Sequence, residues 1–255
     1  MPLLHYVELG DPSKQSLVII HGLFGSHKNW SRISQKLSDQ YHVIAVDCRN
    51  HGDSFNSINM NYQLMANDVW LIAEHLKLNN PIVIGHSMGG KIAMQLVSEH
   101  TDYFSQLVVV DIAPVDYQHH YNDLISPILD VDLSNIKNRK QVDEALQASI
   151  SDNFVRLFLL QSLAHTDQRW YWKIDWQNLL DNMGEIVTTP KLKGEISIKS
   201  LFVFGENSEY YTQQGINNVK EYFVHADIEV VANGNHWLHY EHADEFMAIL
   251  NRYLP

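Results

Sequence analysis

A Gly-X-Ser-X-Gly run set between an apolar strand and an apolar-faced helix leaves a chain few ways to fold. Here the run is Gly85-His86-Ser87-Met88-Gly89, followed by Gly90, and Pro81-Ile82-Val83-Ile84 precedes it directly. A strand that turns this sharply into a helix holds its central residue at a strained backbone angle, so the flanking side chains must be nearly absent. Gly85 and Gly89 meet that need, and Gly90 lets the helix lie close to the sheet. The pattern predicts that Ser87 Oγ projects into a cleft. It also places the Met88 N–H at the helix start, where it can face an oxygen gaining negative charge.

The rest of the chain supplies a sheet for this turn. Short apolar or β-branched runs recur at Leu17 to Ile20, Val43 to Val46, Ile82 to Ile84, Leu107 to Val110, Leu201 to Phe204 and Ile228 to Val231. Both faces of each run are apolar and period-two alternation is missing, the mark of buried parallel strands. Helical spacing is read between them over Trp30 to Leu37, Leu64 to Leu76 and Gly89 to Val97, and again over Ala243 to Leu254. The rhythm stops after Ala113. From Pro114 to Pro190 no comparable Val-rich strand occurs, whereas Val142 to Ile150 and Phe154 to Leu163 read as helices and 169–176 is densely aromatic. The expected fold class is therefore α/β: a mostly parallel sheet flanked by helices, with a mainly helical cap inserted between core strands. Residues 1–113 and 191–255 form the core in this reading, and 114–190 the cap or lid. A chain of 255 residues is long for one domain of about 150, which fits a core carrying an insertion.

A serine hydroxyl is a weak nucleophile at neutral pH and needs a base within about 3 Å, itself oriented by a third group. Fifteen histidines compete for that role. His236 leads, because it follows the last strand-like run in the loop 232–237, and reacting groups gather beyond the carboxyl ends of strands in open α/β sheets. His239 and His242 read as solvated or capping groups, and His86 as packing beneath its loop. Asp111, at the end of the run after the serine turn, is the leading third member. The following strand is the more familiar place for the acid, but there the chain has Ser208, with Glu206 and Glu209 as the remaining carboxylates. A second oxyanion donor is read in His21-Gly22-Leu23-Phe24-Gly25-Ser26, as the N–H of Leu23 or, failing that, Phe24. His21 reads as a loop-stabilising hydrogen-bonding group. In the run 47–54, Arg49 is expected to pair a nearby carboxylate, with a substrate carboxylate as the alternative, and Cys48 to fill the core.

Charge and composition exclude other classes. Eighteen Lys and Arg against thirty Asp and Glu give a net charge of −12, a field that repels phosphate backbones and anionic membranes. A lone cysteine cannot form an internal disulfide or a Cys-rich metal site, so a reducing, cytoplasmic compartment is expected. No leader-like N-terminus is read, and no apolar stretch approaches the roughly 20 residues that span a bilayer. His-Glu-x-x-His, Cys-x-x-Cys, the phosphate-binding loop and the dinucleotide turn are all missing from the sequence. Scattered histidines such as His119 and His120 would hold a metal only if folding gathered them. No metal or organic cofactor is expected.

With its Ser87, Asp111, His236 chain order, the sequence resembles the α/β-hydrolase superfamily. His-Gly-Leu-Phe-Gly-Ser at 21–26, Asp-x-Arg-Asn-His-Gly at 47–52, Gly-His-Ser-Met-Gly-Gly-Lys at 85–91 and Asp-Ile-Ala-Pro-Val-Asp-Tyr at 111–117 are similar to the bacterial YbfF-type esterases and the related abhydrolase-11 group. The likeness covers nearly the whole chain and is weakest over 124–189. It implies a small carboxylesterase for short- to medium-chain acyl esters, and in some members acyl thioesters, with the acid after the strand that follows the elbow. Phe24, Trp170, Trp172 and Trp237 are the expected pocket residues. The same fold also serves carbon–carbon hydrolases, lyases and noncatalytic receptors, which ester assays and a fluorophosphonate probe distinguish. Oligomeric state is not encoded in these motifs.

Overall fold

The computed structural model describes residues 2–118 and 121–255. Its centre is a seven-stranded sheet of β1 (Tyr6–Leu9), β2 (Ser16–Ile20), β3 (His42–Val46), β4 (Ile82–His86), β5 (Gln106–Val110), β8 (Lys199–Gly205) and β9 (Ala226–Val231). The strand order is β1-β3-β2-β4-β5-β8-β9, and every pairing is parallel except β1 with β3. The six apolar runs of the sequence are the six parallel strands. β1 is mostly half-buried, and its single polar-apolar stretch carries no apolar run by which the sequence could have announced it.

Successive residues of a strand point to opposite faces, so one apolar run feeds two cores. In β2, Leu17 and Ile19 pack with Trp30, Ile33 and Leu37 on one side, whereas Val18 and Ile20 pack with Met65, Val69 and Ile92 on the other. The first side is covered by α1 (Ser31–Leu37), a short 3-10 turn before it, the single-turn α10 (Leu238–Glu241) and the last helix, α11 (Ala243–Tyr253). The second is covered by α2 (Tyr62–His75), α3 (Met88–Glu99) and α9 (Gln213–Tyr222). Each such side chain contributes about 1.5–3 kcal/mol when fully removed from water. α9 escaped the sequence reading because only Gly215 and Val219 of its ten residues are buried, too sparse a stripe to show a period.

The cap lies between β5 and β8. It comprises α4 (Asn122–Leu129), α5 (Arg139–Leu146), α6 (Asn153–Leu159), α7 (Trp176–Asp181) and α8 (Met183–Ile186), with a hairpin of β6 (Leu163–His165) and β7 (Trp170–Trp172). Its helices are short, and three of the five are capped by a side chain: Asn138, Asp152 and Asp175 accept from the first-turn N–H groups of α5, α6 and α7. Among the described residues the cap shows no separate core. Ile125, Val142, Leu159 and Leu179 belong to the same apolar cluster as Val18 and Ile92 of the core. The hairpin corrects the expectation that Phe154 to Leu163 is one helix. That helix ends at Leu159, a 3-10 turn follows, and Leu163 pairs with Trp172 across the hairpin. Among the described residues no helix is long and apolar enough to cross a membrane.

Candidate active site

The chain runs from β2 outward to β3 and then returns to place β4 on the other side of β2. At such a switch the loops leaving two neighbouring strands part in opposite directions and open a crevice beyond their carboxyl ends. The loop 21–26 after β2 and the turn 86–88 after β4 flank this crevice. They touch: a Cβ on Gly22 would lie 3.3 Å from Ser87 Cβ and 2.7 Å from His86 Nδ1. A side chain there would push the two loops apart.

Ser87 itself carries the strain of the turn, at φ 52° and ψ −120°. The turn is closed by Ser87 N–H donating to Val110 O at 2.9 Å and by Gly90 N–H donating to Ser87 O at 2.8 Å. A Cβ on Gly85 would sit 2.2 Å from Gly89 O, and one on Gly89 would sit 2.3 Å from Ile20 O. Both glycines are therefore required by close approach of backbone. Asp111 is likewise left-handed, at φ 53°, directly after β5, and its N–H donates to Val203 O at 2.8 Å.

The structure brings Ser87, His236 and Asp111 into one line. Ser87 Oγ donates to His236 Nε2 at 3.1 Å, and His236 Nδ1 donates to Asp111 Oδ2 at 2.7 Å. An ionised carboxylate only accepts, which assigns the imidazole proton to Nδ1 and leaves the Nε2 lone pair facing the hydroxyl. Asp111 is buried and is held in place by Gly205 N–H, which donates to Oδ1 at 2.9 Å, and by the Ser208 hydroxyl, which donates to Oδ2. Ser208 thus occupies the alternative acid position yet converges on the same carboxylate. Its contribution was invisible in the sequence, where it registered only as a missing acid. Glu206 is exposed and accepts from Asn233 N–H at 2.8 Å, so it braces the histidine loop and does not reach the imidazole.

Buried histidines surround this line, and burial pushes their pKa values down. His86 Nε2 donates to His236 O at 2.9 Å and thereby ties the elbow to the histidine loop. Its burial, with the neighbouring His239 and His236, holds its pKa well below the usual value, so it serves as a neutral donor. His239 corrects the reading of it as a solvated group: it is buried and stacks on Trp30 at 4.5 Å between ring centroids, and burial lowers its pKa to about 3. His242 stands at the start of α11, 4.0 Å from Glu245. Tyr210 stacks on the His236 ring at 4.3 Å, a contact no sequence motif signalled.

The loop after β2 is fixed by hydrogen bonds that sort its two donors. Cys48 N–H donates to His21 Nε2 at 2.9 Å, and His21 Nδ1 donates back to Gly22 O at 2.8 Å. Phe24 N–H donates to His51 Nε2 at 3.2 Å and is engaged there, while Leu23 lines the same cavity as Ser87. Arg49 is buried and bidentate to Asp68, with N–O distances of 2.6 and 2.8 Å, so its guanidinium is committed to a carboxylate of the chain. Cys48 is buried and its thiol is pushed well above its ordinary pKa by burial and by Asp47. Asp47 anchors the turn: its oxygens accept from His27 N–H, Asp53 N–H and the rings of His5 and His27 at 2.7 to 3.0 Å. Burial opposes its charge, but the His27 hydrogen bond and nearby His21 outweigh that and hold the carboxyl below the usual range. His5, His27 and Asp47 also form the one group among the described residues whose ligand atoms are close enough to share a metal. These hydrogen bonds account for the arrangement without an ion. His119 and His120 lie outside the described residues.

A cavity of about 610 Å³ opens over Ser87 and His236. Phe24 and Trp237 line it, together with Tyr121, Leu124, Phe154 and Phe158 from the cap. Trp170 and Trp172 do not line it. They lie on β7, where Trp170 packs on His165 within the hairpin at 4.6 Å and Trp172 meets Trp176 of α7 edge-on at 5.8 Å, so these rings serve packing inside the cap. The roof instead comes from α6, whose Phe154 and Phe158 stand one turn apart and meet Trp237 at 5.0 and 5.7 Å. An i, i+4 aromatic pair on a capped helix was the available signal.

The comparisons with known proteins agree with this geometry. Residues 15–243 match the family model described as alpha/beta hydrolase fold. The sn-1-specific diacylglycerol lipase ABHD11 of Mus musculus is 31% identical over 262 aligned residues, covering 100% of this chain and 85% of that protein. Esterase YbfF of Escherichia coli K12 is 33% identical, over 93% of this chain and 92% of its own. A solved structure of a marine microorganism esterase superposes with a TM-score of 0.95 at 32% identity, covering 99% of both chains. A switch-point crevice, a strained serine turn and a family match over most of the length converge on one conclusion: the chain belongs to the α/β-hydrolase superfamily and is related to the YbfF- and ABHD11-type esterases.

Proposed function

We propose that this protein is a serine carboxylesterase that hydrolyses short- to medium-chain acyl esters, and acyl thioesters of similar size, through a Ser87–His236–Asp111 triad. The observation that carries the reading is the Ser87 Oγ to His236 Nε2 hydrogen bond of 3.1 Å at the floor of an apolar-roofed cavity. His236 takes the Ser87 proton as Oγ attacks the ester carbonyl, and Asp111 stabilises the imidazolium that forms. The N–H groups of Leu23 and Met88 receive the tetrahedral oxyanion. His236 then gives its proton to the departing alcohol or thiol, leaving an acyl group on Ser87. A water deprotonated by His236 attacks that acyl-enzyme, and collapse of the second tetrahedral adduct releases the acid and restores the serine.

The cavity supports the substrate class. It is large enough for a drug-sized ligand and is lined chiefly by rings and aliphatic groups, with the reacting atoms at one end. The single, buried Cys48 fits a reducing, cytoplasmic setting for this enzyme. The test is intact-mass analysis after treatment with a fluorophosphonate, with peptide mapping, followed by turnover of a panel of esters and acyl thioesters. A single adduct on Ser87, absent from S87A, is the expected result. Saturable ligand binding with no adduct and no turnover would replace the enzyme by a receptor.

A further inference from the structure

Three residues one helical face apart on α3, Lys91, Gln95 and Ser98, meet the chain where it returns from cap to core. Lys91 Nζ donates to Thr188 O at 2.6 Å and Val187 O at 3.3 Å. Gln95 exchanges bonds with the Lys191 backbone at 2.7 and 3.1 Å, and Ser98 Oγ accepts from Lys193 N–H at 2.6 Å. Lys91 alone of the three also holds the outgoing crossing, by donating to Val115 O at 2.9 Å. Its three N–H donors are thus spread over both connections between core and cap. The two crossings also touch each other, since Tyr117 N–H donates to Val187 O at 3.0 Å and Asp116 accepts from Thr189 N–H at 2.6 Å.

Lys91 is buried four residues after the nucleophile, and it lines a small cavity that Ser87, Leu23 and Tyr121 also line. An ammonium removed from water this completely is costly and needs strong partners. The partners are those carbonyls and the faces of two rings, Tyr117 at 4.8 Å and Tyr62 at 5.6 Å. Tyr62 adds to the same junction by donating to Ile186 O at 2.5 Å.

We propose that Lys91 is a positioning residue that latches both crossings of the cap and so sets the height of the acyl-site roof above Ser87. The proposal rests on the esterase reading only for its kinetic consequence. The latch itself is a statement about the junction. Lys91 also gives the latch a sense of pH. Burial lowers its pKa to about 7, against the opposing pull of Asp116, and the other groups facing it, Tyr62 and Tyr117, are held neutral by burial that raises their own values. A neutral amine keeps two of three donors, so the junction loosens as pH rises through neutrality.

The test compares wild type with K91M and K91R by hydrogen exchange over 114–118 and 186–190, and by the ratio of kcat/KM for an octanoate ester to that for an acetate ester. The ratio cancels any pH dependence of the chemical step, which both substrates share. In K91M, exchange at both crossings is expected to speed up, and the ratio to fall roughly three- to tenfold through KM, the size typical of a lost positioning contact. In wild type the ratio is expected to decline from about pH 6 to about pH 8.5, and in K91R to stay flat because a guanidinium does not titrate there. Unchanged exchange and an unchanged ratio in K91M would overturn the latch. If K91M does not fold, unchanged exchange at both crossings and an unchanged ratio in K91Q would overturn it equally. Wild-type protein that turns over no ester would strike the hydrolase reading, and the exchange data would still judge the latch.

Discussion

On the floor of the cleft, Ser87 and Asp111 both sit at positive φ, and hydrogen bonds between neighbouring loops tie them together, from Gly205 N–H and the His236 ring to Asp111 and from Ser87 Oγ to His236. On the roof, α6 spans only seven residues and reaches the cavity through aromatic side chains packed on Trp237. The floor is specified by where backbone must go, and a change of one atom there alters chemistry. The roof is specified by how apolar surface is covered, and on the proposed esterase reading its changes would alter which acyl chain fits. Substitutions in the two regions are therefore expected to separate kcat from substrate selection.

The sharpest break is on the floor. S87A should fold normally and lose about six orders of magnitude in kcat, the scale seen when a triad nucleophile is removed, as measured with a chromogenic short-chain ester. D111N should follow at about 10⁴-fold, because an amide stabilises the wrong tautomer of the imidazole, while E206Q stays within about threefold. The reverse ranking of those two would move the acid to the strand after β5. On the roof, F158A should cost about tenfold in kcat/KM for a medium-chain ester and little for an acetate. W172A, aimed at the hairpin, should lower stability by about 1–3 kcal/mol in urea unfolding and leave that selectivity unchanged. A W172A protein with altered acyl preference would return the hairpin to the pocket.

The smallest effect concerns acid. Burial holds His51 and His239 neutral down to about pH 3, whereas the unfolded chain protonates them at the ordinary 6.5 or so. Their pKa values are depressed on folding, so the stability they confer is present above about 6.5 and is lost as pH falls toward 3. Each can add up to about 1.4 kcal/mol of loss per pH unit in that window. H239F, which keeps a ring on Trp30, should flatten the slope of unfolding free energy between about pH 6.5 and 5, before carboxylates titrate. An unchanged slope would remove His239 from this balance.

The floor was legible because its constraints are local. Gly85 and Gly89 stand where backbone approaches backbone and Gly22 where the His86 and Ser87 side chains close in, and a residue type that tolerates such contact shows in a single sequence. The parallel strands were legible because two buried faces demand an unbroken apolar run. The roof was not, because Trp170 and Trp172 look as suited to a pocket as Phe154 and Phe158, and only packing decides which pair faces it. His239 followed the same logic: a polar residue near a helix start reads as solvated until Trp30, distant in sequence, is found stacked on it.

The order Ser87, Asp111, His236, the sheet that presents them and the interruption that makes a cap were determined by the sequence alone, since short-range sterics and hydrophobic period act between near neighbours. Tertiary structure decided the rest. Ser208 turning to the Asp111 carboxylate, His86 holding the His236 carbonyl, Phe24 surrendering its N–H to His51 and Lys91 binding two crossings all join residues that the chain brings together only on folding. Hydrogen bonds depend on distance and direction in space, and neither is written in the spacing of the partners along the chain.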